Sequence, residues 1–107
     1  MANTTQILKG LLEGCILEII NKKETYGYEI CETLIGFGFR EVTESSVYPI
    51  LIRLEKKSLI YSVMKESRFG PMRKYYYLTK SGNSELQEFV YSWKEIKSNI
   101  DNIFGGV

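Results

Sequence analysis

Histidine is absent from this 107-residue chain. That excludes His-based general acid–base catalysis, Ser-His and Cys-His nucleophile pairs, and any zinc site with a histidine ligand. Cysteine is nearly absent too. Cys15 and Cys31, both in apolar surroundings, cannot make a four-ligand zinc site and are too few for a secreted disulfide scaffold. They read as small buried hydrophobes in a reduced, cytoplasmic setting. Long apolar runs are missing: Glu13 and Glu18 interrupt the first apolar stretch, and nothing approaches the roughly 18 residues of a membrane span. Lys9 is the only basic residue before that stretch, so no export signal is expected. With no titratable cluster, phosphate loop or metal set, the expectation is neither an enzyme nor a cofactor or metal protein.

What is present is an ordinary globular composition, 44% hydrophobic and 25% charged, of a size suited to one folding unit. The net charge is only +1, but it is unevenly spread. Residues 53–80 carry eight basic residues (Arg53, Lys56, Lys57, Lys65, Arg68, Arg73, Lys74, Lys80) against Glu55 and Glu66. A local positive field of this kind suits a polyanion, and a near-neutral total does not exclude one.

Apolar spacing predicts a first helix over 7–20, carried by Leu8, Leu11, Leu12, Cys15 and Ile19. Its stripe is wider than one packing surface requires, and Gly10 and Gly14 suit close approach of another helix. A second helix is expected over 26–35 with Thr25 as N-cap, ended by Gly36 and Gly38. A short strand is expected over 39–42. A third helix follows near 44–57, with Ile50, Leu51 and Leu54 inward. Pro49 leaves two readings: Ser46 caps the helix and Pro49 falls in its first turn, or the helix starts near Thr43 and bends at Pro49. Residues 59–65 and 73–79 read as strands joined by a Gly70-Pro71 turn, a hairpin with basic arms.

From 80 to 104, Leu86, Phe89, Trp93, Ile96, Ile100 and Ile103 repeat at alternating three- and four-residue steps. A helix of that length is about 38 Å long and overhangs a domain whose radius of gyration is near 13 Å. Its seam therefore needs a partner, most simply a second copy, with Leu8 and Leu12 joining the same interface. Its acidic charges exceed its basic ones, which argues against a membrane-surface anchor.

The order helix, helix, helix, hairpin, long helix is that of a winged helix-turn-helix: mainly α with a small β-hairpin wing. Residues 1–79 would bind double-stranded DNA and 80–107 would dimerise. In such a motif the second helix of the pair enters the major groove. Ser45, Ser46 and Tyr48 lie at its start, Arg53 on a later turn, and Lys65 and Arg68 on the wing. Arg73 and Lys74 alternate across a strand, so one faces DNA and the other an internal acid or solvent. A winged-helix protein-interaction module that binds no DNA is the rival reading, and the basic block argues against it.

Three stretches then become recognisable. Leu11-Leu12-Glu13-Gly14 with Tyr26-Gly27-Tyr28-Glu29-Ile30, Val47-Tyr48-Pro49-Ile50-Leu51-Ile52-Arg53-Leu54-Glu55, and Gly70-Pro71-Met72-Arg73-Lys74-Tyr75-Tyr76-Tyr77-Leu78-Thr79 follow in order. Together they resemble the PadR-like transcriptional regulators over nearly the whole chain. The resemblance implies a homodimeric repressor paired through its C-terminal helix, of the small branch that includes multidrug-sensing repressors. Phe89-Val90-Tyr91-Ser92-Trp93 resembles the segment of those sensors whose tryptophan lines a flat ligand slot at the dimer interface. Trp93 and Phe89 thus have two readings, as walls for a planar apolar effector or as plain packing of the dimer seam. Ser58 stands where the family usually has glycine, a strained choice if φ there is positive. Met72 replaces a more usual basic or proline residue near the wing, and Ile52 stands where a polar or basic residue is common.

Overall fold

Apolar residues at helical spacing form α1 (Leu12–Lys22) and bury Ile16, Leu17 and Ile20. This and all that follows refers to a computed structural model of the chain, which describes residues 7–8, 10–67 and 69–105. After α1 come β1 (Thr25–Tyr26), α2 (Gly27–Gly36), α3 (Glu44–Lys56), β2 (Ile60–Ser67), β3 (Gly70–Leu78) and α4 (Lys80–Ile103). The sheet is antiparallel in the order β1-β3-β2. One core joins the elements. Ile30, Cys31 and Leu34 of α2, Val47, Leu51 and Leu54 of α3, Ile60 and Tyr76 of the sheet and Leu86 of α4 close on the α1 face.

The start of α3 follows the second reading of Pro49. Thr43 is the N-cap and Ser46 completes a capping box: its Oγ donates to the Thr43 carbonyl (2.8 Å) and accepts from the Thr43 N–H (3.0 Å). Pro49 therefore lies inside the helix. The other end of α3 carries the expected strain. Ser58 has φ +60°, its N–H bonds the Glu55 carbonyl and the Leu59 N–H bonds the Leu54 carbonyl, both at 3.0 Å. That is a Schellman stop built on serine, and its left-handed position favours glycine. Ser58→Gly keeps the backbone carbonyl and removes the Cβ penalty. Urea unfolding should show a gain of about 1 kcal/mol; an unchanged or lower midpoint would contradict the strain.

Two local expectations are corrected. Thr25 does not cap α2. It is wholly buried in β1, paired opposite Tyr76, and Tyr26 takes the cap position. Residues 39–42 form no strand: Arg40 N–H bonds Gly38 O and Val42 N–H bonds Phe39 O, a turn that tucks Val42 into the core. The hairpin strands run further than expected, to Ser67 and from Gly70, with an irregularity between Lys65 and Ser67.

Helix α4 is anchored at its first turns. Thr79 Oγ1 accepts from the Gly82 N–H (2.9 Å) and donates to the Ser58 carbonyl (2.7 Å), while the Thr79 N–H bonds the Leu59 carbonyl (3.0 Å). Gly82 is pressed against that same carbonyl, and any Cβ there would overlap it. Beyond Leu86 the helix leaves the core. The chain extends over 51 × 31 × 20 Å with a radius of gyration of 15.2 Å, above the compact expectation, as the overhang requires.

Candidate nucleic-acid interface and apolar groove

The exposed face of α3 presents Ser45, Tyr48 and Ile52, beside the wing formed by β2 and β3. Ser46 lies on the same turn, but its hydroxyl is engaged in the cap. The structure sorts the basic block by partner. Arg53 reaches across to α1, with Nε and Nη2 both 2.7 Å from Glu13 Oε2, and Lys57 approaches Glu13 Oε1 at 3.7 Å. Lys65 is paired with Glu24, whose Oε2 also accepts from the Tyr77 hydroxyl at 2.6 Å. The Lys65 and Tyr77 hydrogen bonds hold the Glu24 carboxyl below the usual carboxylate range. Lys74 turns toward α3, 3.7 Å from Glu55, which also accepts from Ser62 Oγ at 2.9 Å. Arg68 lies outside the described residues.

Arg73 differs. Its guanidinium lies 4.4 Å from the centre of the Tyr26 ring, and it has no carboxylate partner among the described residues. The alternation across β3 is therefore realised with Lys74 on the internal acid. Between the start of α2, α3 and the wing lies a cleft of about 370 Å³. Arg73, Lys74, Tyr28 and Tyr48 line it together with Met64 and Met72, and no acidic side chain among the described residues does. Tyr28 was not singled out in the sequence. It falls at helical spacing with Cys31, Leu34 and Ile35, a pattern that suits a core position, yet it is 51% exposed.

A second concavity, an open groove of about 860 Å³, runs between α1, the end of α2 and α4. Trp93 and Phe89 line it with Leu8, Leu11, Cys15 and Phe37. Trp93 is 38% exposed, and the Phe89 ring lies so close to Gly14 that a Cβ on that glycine would overlap it. Gly14 thus serves contact between α1 and α4 of one chain. Burial pushes the Cys15 thiol up, so it stays protonated at neutral pH. The seam divides at this point. Leu86 belongs to the chain's own core at 4% exposure and Leu12 is packed against that core, whereas Ile96, Ile100 and Ile103 are open. Leu86, expected in the dimer seam, packs within this chain's own core.

A three-helix head with a β-hairpin wing and a projecting C-terminal helix defines a winged helix-turn-helix protein. Residues 16–88 match the transcriptional regulator PadR-like family, and the chain belongs to it. It is similar to a PadR-like transcriptional regulator from Bacillus cereus, with 46% identity and a TM-score of 0.88 over 95% of this chain and 99% of that one. A Streptococcus transcriptional regulator is similar at 40% identity and TM-score 0.87, over 94% and 98% of the two chains. Bacillus subtilis PadR in complex with operator DNA matches at 27% identity and TM-score 0.67, over 78% of this chain and 48% of that one. The family is one of transcriptional regulators, not enzymes, and the α+β architecture agrees with its winged-helix structures. No helix among the described residues is long and apolar enough to cross a membrane.

Proposed function

We propose that this regulator is a cytoplasmic homodimeric repressor that binds a promoter operator through residues 1–79 and pairs through residues 80–107. The exposed apolar seam of α4 carries the reading. Ile96, Ile100, Ile103 and Phe104 are 44–81% exposed on a helix that already has its first turns in the core. A second copy would cover that seam and the groove beside it, setting two α3 helices one DNA turn apart, about 34 Å. The exposed start of α3, with Ser45 and Tyr48, would enter the major groove, and the wing would meet the flanking backbone. The DNA complex of the Bacillus subtilis relative supports this use of the fold.

The groove supports an effector. A planar apolar molecule between the Trp93 rings of the two protomers would bind one spacing of the DNA heads better than another, and only that difference can release DNA. Couplings of this type change affinity roughly 5–150-fold. Titration with a planar apolar dye should quench Trp93, the chain's single tryptophan, and weaken DNA binding within that range. Trp93→Ala should abolish both effects. Quenching without any change in DNA affinity would reduce the groove to packing.

A further inference from the structure

We infer that the cleft between the start of α2, α3 and the wing seats a phosphodiester of bound DNA, and that Arg73, not Lys74 or Lys65, is the wing cation that holds it. The inference rests on the DNA-binding reading above and sharpens it, because the basic block by itself does not say which of its members meet the polyanion.

Carboxylate partners make the distinction. A cation already facing a carboxylate offers little net field to an incoming phosphate, and using it requires breaking the pair. Lys65 is held by Glu24 and Lys74 by Glu55. Arg73 is stacked instead. A guanidinium over an aromatic ring keeps its N–H donors available for a bidentate oxyanion, and Arg73 is exposed. It also fixes the side chain beforehand, so less freedom is lost on binding.

The surrounding cleft fits the same ligand. No carboxylate among the described residues lines it, and with Lys74 paired to Glu55 its unpaired charge is that of Arg73, which is complementary to a phosphate. Tyr28 and Tyr48 bring phenol groups to the cleft, and such hydroxyls commonly donate to DNA phosphates. The flexible thioethers of Met64 and Met72, about half exposed, give a wall that adapts to a sugar edge. Tyr48 also belongs to the exposed face of α3, so a phosphate in the cleft would lie next to the helix proposed to enter the groove.

The experiment measures binding of labelled duplex from the chain's own upstream region by anisotropy, across a salt series, for wild type and the full-length variants Arg73→Gln, Arg73→Lys, Lys74→Gln and Tyr28→Phe. Two copies act per dimer, so Arg73→Gln should weaken binding at least about tenfold. It should also lower the slope of log affinity against log salt by about two. Arg73→Lys keeps the charge, so it should hold the slope while losing affinity. Lys74→Gln should leave the slope unchanged, and Tyr28→Phe should weaken binding severalfold at constant slope. If wild type binds with a steep slope and Arg73→Gln keeps it, or if Lys74→Gln flattens it as much, the assignment is overturned while DNA binding stands. If wild type binds no duplex even at low salt, the DNA-binding reading falls and takes the assignment with it.

Discussion

Ile100→Asp should convert the protein to a folded monomer that has lost most of its DNA affinity. Ile100 is 44% exposed on the part of α4 that lies beyond the core, and Ile96, one turn earlier, is 50% exposed. In a two-fold dimer each substitution appears twice. Fully burying an isoleucine is worth about 1.5–3 kcal/mol, and pairing covers only the 44% still exposed, so the two copies lose about 1.3–2.6 kcal/mol before the larger cost of burying two carboxylates is added. Dimer dissociation should strengthen by at least about 10²-fold. Helical circular dichroism should barely change, because Ile100 is exposed and stands outside the core cluster of the described residues. DNA affinity should fall with the dimer, since each monomer offers only one recognition helix. Leu86→Asp is the contrasting variant. Leu86 is 4% exposed in the core, so it should unfold the chain rather than dissociate it. Sedimentation at micromolar concentration separates the outcomes, and a dimeric Ile100→Asp protein would place the interface elsewhere.

The largest effect on stability is expected at Gly82. The Cβ of an alanine there would overlap the Leu59 carbonyl oxygen, a backbone atom rather than a yielding side chain. That carbonyl accepts from the Thr79 N–H, and the neighbouring Ser58 carbonyl accepts from Thr79 Oγ1. Moving Leu59 away breaks the junction of the α3 stop, the end of β3 and the start of α4 together. Alanine would gain about 1 kcal/mol of helix propensity, which the overlap outweighs. The expected loss from Gly82→Ala is about 3 kcal/mol or more, the overpacking case at an immovable neighbour. Gly36→Ala is the control: it is also helical, its Cβ would meet nothing within 4 Å, and it should be neutral or stabilising. Urea unfolding of both variants checks the pair, and equal effects would show that the junction gives way.

The fold was legible where apolar spacing repeats. The α4 seam, α3 and the hairpin followed from periods of 3.5, 3.6 and 2, and the Ser58 strain from a motif that usually carries glycine. What escaped is what has no period. A two-residue strand such as β1 shows no alternation, so Thr25 looked like a cap although the sheet buries it. The start of α3 turned on a Thr43–Ser46 exchange of hydrogen bonds that either reading of Pro49 allowed. The candidate DNA-facing site was legible as the start of α3 and an unsorted list of basic residues. Which of them are neutralised depends on pairs far apart in sequence: Arg53 with Glu13, Lys65 with Glu24. No local pattern reveals these. Tyr28 was missed because its spacing suits a core position, and only the cleft between α2 and the wing gives it a different setting.

The central claim is that a dimer of this chain binds duplex DNA through its basic wing and α3. Its most direct test is anisotropy of labelled upstream DNA titrated with wild-type protein between 50 and 200 mM salt, with stoichiometry read at saturation. The account predicts two chains per duplex and affinity falling about 10³-fold across that range, as about six phosphate contacts per dimer require. Absence of binding at 50 mM salt, or affinity indifferent to salt, would contradict it and favour a winged-helix module that binds protein instead.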